Sequence, residues 1–333
     1  MSEWRDSSPT VTVRTSGSTG QPKAMRVEKR RMLASARITC DFLGLRPGCT
    51  ALLCMKLDYI AGKMMVVRGL ERGMRLISVP PDGHPLAALG EGQAPDFAAM
   101  VPLQVYNSLK VEKERRLLGQ IGHLIIGGGA IDDDLERRLK RLPNAVWSSY
   151  GMTETLSHIA LRRVSGPQSS SWYTPFDSVS VALNEEGCLV IHAPEVCDGL
   201  LVTNDRAELR TTDGPDGRPL TQFRILGRKD NVIDSGGIKI QIEEVEQALR
   251  PFLRHPFMIT KRPDAKFGEA IVLLTEHSDM AEVSEICMNC LPKYWVPRHY
   301  VHVERLPLTP TGKPARKEAE RLAEESVGLV GLV

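Results

Sequence analysis

No uncharged apolar run in this chain approaches the roughly 20 residues that a membrane-crossing helix needs. Neither charge sign is in excess. Lys and Arg number 43 against 41 Asp and Glu, a net charge of +2, so no long basic face for nucleic acid is implied. A cysteine framework is missing too. The seven cysteines are scattered and odd in number, which fits a reducing cytoplasm better than a disulfide-stapled secreted protein. The opening "MSEWRDSS" lacks the apolar core of a signal peptide. There is no internal repeat and no low-complexity segment. These absences predict a cytoplasmic protein without nucleic-acid or membrane partners.

What is present is ordinary globular composition: 333 residues, 42% apolar and 25% charged. Through the first half, short apolar strands alternate with helical patterns. "TVTVRT" leads to a helix over 27–43, and "TALLCM" (50–55) to a helix over 61–73 that ends at Gly73. Strands follow at 75–79, 97–101 and 123–129, then a helix over 132–142. Its acids come first and its bases last, the order its dipole favours. After residue 158 short strands separated by turn residues predict antiparallel sheet. A second unit begins near Asp230, with helices at 243–253, 281–291 and 315–326 and strands at 270–276 and 299–306. The expected fold class is α/β: a large N-terminal domain (1–229) of layered α/β sheet with a small antiparallel region, then a small α+β C-terminal domain (230–333).

One stretch near the start, "TSGSTGQPK" (15–23), follows a strand. Its glycines let amides turn inward, its hydroxyls donate, and Lys23 adds a full positive charge, which suits phosphate oxygens. It is not the common nucleotide loop, because GxxxxGKS/T is absent. Taken alone it could equally be a polar surface loop. Four further stretches change that reading: "GGGAI" (127–131), "YGMTE" (150–154), "GRKDN" with "SGGIKI" (227–240), and "PLTPTGKPAR" (307–316). As an ordered set spanning most of the chain, they resemble the adenylate-forming superfamily of acyl-CoA synthetases, luciferases and peptide-synthetase adenylation domains.

The resemblance implies ATP, Mg²⁺ and coenzyme A as cofactors and a small carboxylic acid as substrate. It puts Thr15, Ser16, Gly17, Ser18, Thr19, Gly20 and Lys23 around the β- and γ-phosphates. It puts Tyr150 and Gly151 at the adenine, with Gly128, Gly129 and Ala130 beside it, and Thr153 at the α-phosphate. Glu154 would hold Mg²⁺, a hard cation suited to carboxylate and phosphate oxygens. Asp205, in "TND" where the family has TGD, and Arg228 would hold the ribose. Asp230 matches the hinge, Lys313 the mobile lysine that completes adenylation, and Gly236 the wall of the pantetheine tunnel. The chemistry asks for this much positive charge, since an already ionised acid must approach an anionic triphosphate.

Two departures bear on the acid. Tyr59 stands in "DYIAGKMM" where the family usually has a His, and the stretches around 59–69 and 150–162 resemble a short form of the o-succinylbenzoate–CoA ligases of menaquinone biosynthesis. That substrate carries a second carboxylate, for which Lys63, Arg68, Ser157 and His158 are candidates. The alternatives are that Lys63 and Arg68 lie on a solvent-facing helix row and that His158 is a satisfied core histidine. Only fourteen residues precede the phosphate loop, so a second copy of the chain is one expected cover for the flank left open, as a homodimer. Other outcomes are a ligase for another acid or for a carrier protein, and an inactive nucleotide-binding module. Cys287 and Cys290 with His299 and His302 are discounted as a zinc site, because the two histidines would point to opposite sides of one strand. Glu243, Glu244 and Glu246 are expected to serve a helix N-terminus.

Overall fold

The computed structural model describes residues 2–14, 24–214, 217–309, 313–326 and 329–330. A short helix α1 (Ser2–Arg5) precedes an antiparallel pair, β1 (Thr10–Arg14) and β2 (Ala24–Glu28), in which Arg14 lies opposite Ala24. Helix α2 (Lys29–Phe42) follows at once. It starts later than the pattern predicts, because Val27 is claimed by β2, where it pairs with Val11 and both are buried. A β-branched pair on one sheet face outweighs the weaker helical preference of valine.

The central sheet comes next. Its elements are β3 (Thr50–Leu53), α3 (Ile60–Arg72), β4 (Arg75–Ser78), β5 (Phe97–Met100), α4 (Pro102–Ser108), α5 (Glu112–Gln120), β6 (His123–Ile126), α6 (Asp133–Leu139), β7 (Ala145–Gly151), β8 (His158–Arg163) and β9 (Thr174–Pro175). Seven strands pair in the order β4-β3-β5-β6-β7-β8-β9, parallel up to β7 and antiparallel beyond it. The parallel strands are buried on both faces, as their continuous apolar runs require. Leu52, Ala98, Leu124 and Val146 face one layer, and Ala51, Phe97 and Ile125 the other. Helix α3 ends as expected at Gly73, whose φ of 62° is the left-handed stop that glycine adopts without strain. Helix α6 opens on Asp132, whose carboxylate accepts the Leu135 amide at 2.8 Å. Helices α4 and α5 escape the sequence pattern; they have only seven and nine residues, and α4 begins on Pro102.

A four-stranded antiparallel meander follows: β10 (Ser180–Leu183), β11 (Cys188–His192), β12 (Leu200–Asp213) and β13 (Pro219–Arg228). After a 3₁₀ turn at Lys229–Asn231 comes a mixed sheet made of β14 (Val232–Ser235), β15 (Ile238–Gln241), β16 (Phe257–Asp264), β17 (Gly268–Thr275), β18 (His299–His302) and β19 (Leu329–Val330). Helices α7 (Ile242–Leu249) and α8 (Met280–Cys290) pack on one face of it through Val245, Leu249, Val283 and Cys287. Helix α9 (Arg316–Glu325) packs on the other through Ala319 and Ala323. Strands β14, β15 and β16 are additions to the sequence reading, and β18 stops four residues short of it. β16 was hidden by Pro263, a residue that argues against a strand until the strand proves to be an edge. The architecture is the expected α/β core with an antiparallel sheet, then a smaller α+β unit. Among the described residues no helix is long and apolar enough to cross a membrane.

Candidate active site

The carboxyl end of β7 carries Tyr150 and Gly151. In open α/β sheets that end of the strands is where ligands bind. The Tyr150 hydroxyl donates to Asp205 Oδ2 at 2.6 Å, and its ring meets Phe223 edge-on with centroids 5.1 Å apart. Burial, and then the charge of Asp205, push the phenol's pKa up, so it stays a donor. Asp205 on β12 is the register partner of Arg228 on β13. Arg228 donates through Nη1 to Asp205 Oδ1 at 3.0 Å, and through Nε and Nη2 to the Asp230 carboxylate at 3.0 and 2.9 Å. One guanidinium therefore ties β12 to the turn where the final unit begins.

Lys313 comes to the same place from the far end of the chain. Thr309 N donates to Lys313 O at 2.7 Å, Lys313 N donates to Thr309 Oγ1 at 3.1 Å, and Leu308 bridges Pro314. This narrow turn holds the ammonium within electrostatic reach of both Arg228 and Asp205. Burial and then Arg228 lower its pKa, with Asp205 opposing them. The structure thus brings Tyr150, Asp205, Arg228, Asp230 and Lys313 together across more than 160 positions of sequence.

Residues 152–157 form a tight loop between β7 and β8. Thr155 Oγ1 accepts from Met152 N and donates to Ser157 O at 2.7 Å, and Leu156 sits at φ 64°. A left-handed leucine costs on the order of 1–2 kcal/mol, which this hydrogen-bonded loop has to offset. The loop presents Thr153, half-buried, and Glu154, exposed. A lone exposed carboxylate fits the usual Mg²⁺ arrangement, in which one or two carboxylates act together with substrate phosphates. Gly151 allows the loop to close, since a Cβ there would stand 2.2 Å from Ser157 O and 2.4 Å from His158 Cα. Gly151→Ala is therefore expected to destabilise the protein by at least about 2 kcal/mol. A thermal melt within a degree of wild type would contradict this. Gly128, Gly129 and Ala130, just past β6, are exposed at the same edge of the sheet.

A second cluster lies between α2, α3 and β8. Arg68 is 3% exposed, so it does not lie on a solvent-facing row. Its Nη2 donates to Ser157 Oγ at 2.6 Å and, more weakly, to Thr39 Oγ1 at 3.5 Å. Among the described residues Nη1 has only the Met65 sulfur at 3.9 Å, and Nε has no partner. No carboxylate pairs with this cation among the described residues. Burial moves its pKa down to about 10, with Cys40 opposing. His158 is held by Ser157 Oγ at Nδ1 (3.3 Å) and by Thr39 Oγ1 at Nε2 (3.0 Å). Burial, and then Arg68, depress its pKa well below the usual value, so the ring is neutral. One proton assignment satisfies every contact: Ser157 donates to Nδ1, Nε2–H donates to Thr39, and Thr39 donates to Ser35 O at 3.1 Å.

Ser157, His158 and Arg68 thus sit together, whereas Lys63 does not join them. Its ammonium donates to Thr12 O at 2.8 Å. Tyr59 lies one position before α3 and is half-buried. Gly236 is on the smaller sheet, where its amide donates to Phe267 O and where a cleft of about 110 Å³ is lined by Phe267, Lys293, Tyr294 and Arg298. Thr15, Ser16, Gly17, Ser18, Thr19, Gly20 and Lys23 lie outside the described residues. Sequence reasoning missed Thr39 and Phe223. The signal for Thr39 was a polar residue on an otherwise apolar helix stripe of Met32, Ala36 and Cys40.

Known proteins resemble this chain in sequence and fold. A 2-succinylbenzoate–CoA ligase of Bacillus cereus (strain ZK / E33L) is 27% identical over 339 residues, covering 93% of this chain and 69% of that protein. The crystal structure of an acyl-CoA synthetase (AMP-forming)/AMP-acid ligase II-like protein from Dyadobacter fermentans is 32% identical, with a TM-score of 0.62, covering 95% of this chain and 90% of that one. The o-succinylbenzoate CoA synthetase of Bacillus subtilis, in complex with the acyl-adenylate intermediate OSB-AMP, shares the fold at a TM-score of 0.75 and 20% identity, covering 97% of this chain and 70% of that one. The AMP-binding enzyme profile matches residues 3–201, which take in β7, the loop after it and the Arg68 cluster. Family match and geometry agree, and the chain belongs to the AMP-binding enzymes.

Proposed function

We propose that this AMP-forming acid–CoA ligase activates an aromatic dicarboxylic acid, 2-succinylbenzoate, first as the acyl-adenylate and then as the CoA thioester of menaquinone biosynthesis. The observation that carries the substrate reading is Arg68. A buried guanidinium with no carboxylate partner among the described residues is costly unless something completes it. Ser157, His158 and Thr39 already spend their protons on His158, Thr39 and Ser35 O, so Arg68 Nη1, which meets only the Met65 sulfur among the described residues, is the donor left for an incoming carboxylate. A monocarboxylic acid would leave that charge unpaired. The B. cereus relative, a 2-succinylbenzoate–CoA ligase, supports the same acid.

In this reading Lys313 and Lys23 offset the charge of the triphosphate while the acid attacks, and Arg228 binds the ribose. Thr153 faces the α-phosphate, Tyr150 packs on adenine, and Asp205 takes the ribose hydroxyls. The residues present fit Mg²⁺ at Glu154, and the cation would neutralise phosphate charge. The final unit then turns about Asp230 for the thioester step, and the cationic, aromatic-lined cleft beside Gly236 suits the phosphates of coenzyme A. The test is pyrophosphate release with 2-succinylbenzoate, benzoate and a fatty acid, with and without CoA. At equal concentrations 2-succinylbenzoate is expected to lead by at least tenfold. Equal rates with benzoate would remove the dicarboxylate reading, and no release with any acid would favour an inactive nucleotide-binding module.

A further inference from the structure

Glu246 was expected to serve a helix terminus, but the structure gives it a different task. Its carboxylate takes the Arg316 guanidinium in a two-pronged pair at 2.7 and 2.9 Å. The side chains are only 10% and 17% exposed. Both residues also close on one backbone position. Ile259 N donates to Glu246 Oε1 at 3.0 Å, and Arg316 Nη1 donates to Ile259 O at 2.8 Å. Ile259 lies on β16, whose only strand partner among the described residues is β17, so the pair spans that edge of the sheet. It joins α7 on one face to the first residue of α9 on the other. Arg316 stands three residues after Lys313 and is the first rigidly held side chain beyond the turn that carries it.

We infer that the Glu246–Arg316 clasp is a positioning device for Lys313, fixing where the ammonium emerges during adenylation. The Thr309–Lys313 bonds fix Lys313 against Thr309, but not its placement relative to Arg228 and Asp205. That placement depends on where α9 is anchored. Packing through Ala319, Ala323 and Leu322 is apolar and carries no directional bond. A two-pronged guanidinium–carboxylate pair fixes direction as well as distance. Arg316→Lys should keep the charge but lose the fork, and so loosen the tip without opening the fold.

The inference rests on the adenylation role proposed above for Lys313, so the experiment separates the two. Wild type, Arg316→Lys, Arg316→Gln, Lys313→Ala and the double variant Lys313→Ala/Arg316→Gln are compared in two half-reactions. These are 2-succinylbenzoate-dependent pyrophosphate release and CoA thioester formation from supplied 2-succinylbenzoyl-adenylate. Misplacing the ammonium by about 1 Å is expected to cost Arg316→Gln about 10- to 100-fold in the kcat of the first step, with KM for acid and ATP little changed. Arg316→Lys should lose less, and both should keep the second half-reaction within about threefold. In the Lys313→Ala background, Arg316→Gln should add almost nothing to the loss. Full additivity there, equal losses in both half-reactions, or an unimpaired first step in Arg316→Gln would overturn the clasp's role. Full pyrophosphate release by Lys313→Ala would overturn instead the reading of Lys313 on which it rests.

Discussion

Lys313→Ala is expected to lower acid-dependent pyrophosphate release by about 10²–10³-fold, the usual cost of removing one well-placed charge from a site where charge develops. The same variant should form CoA thioester from supplied acyl-adenylate at close to the wild-type rate if, as proposed above, the final unit turns about Asp230 and carries the lysine away before that step. The physical ground is its position. The ammonium reaches Arg228 and Asp205 from a turn at the end of the chain, and burial and Arg228 together lower its pKa. A half-buried ammonium near another cation carries a cost at rest that Asp205 only opposes in part. Polyphosphate arriving there would turn that cost into attraction. Stopped-flow measurement of the two half-reactions checks this, and equal losses in both would contradict it.

Arg68→Ala should produce the other large effect, this time on selectivity. With 2-succinylbenzoate, kcat/KM is expected to fall by about 10²–10³-fold, since a buried carboxylate would be left without its charge partner. With benzoate the change should be small, because no second carboxylate needs an answer. Arg68→Lys should recover only part of the loss, since a single ammonium cannot match a planar fork, and Ser157 Oγ would lose its 2.6 Å donor. Competition kinetics between the two acids give the ratio directly. A parallel fall for both would mean that Arg68 serves packing between α2 and α3 rather than recognition.

Much of this site was legible in the chain because its chemistry is carried by short local stretches. "YGMTE" and "GRKDN" name groups that the fold brings together, and the register pairing of Asp205 with Arg228 supplies the contact that spacing could not show. Where recognition depends on groups far apart in sequence, the pattern was silent. Thr39 and Ser157 are 118 positions apart, yet both hold the His158 ring. Lys63 and Arg68 look alike on paper, but five residues of helix rotate one toward β1 and the other into the core. The parallel core was readable from its unbroken apolar runs. The smaller unit was less so, because four-residue strands and a proline-bearing edge carry almost no period.

The pair of side chains over Ile259 bears on more than catalysis. An outermost strand with bare amides and carbonyls invites a neighbouring molecule to add its own strand, and chains left that way tend to clump. Here the peptide groups of Ile259 are already taken by a carboxylate and a guanidinium. The same two residues therefore act as a guard against sticking, and losing either should show up as turbidity at high concentration even where turnover survives.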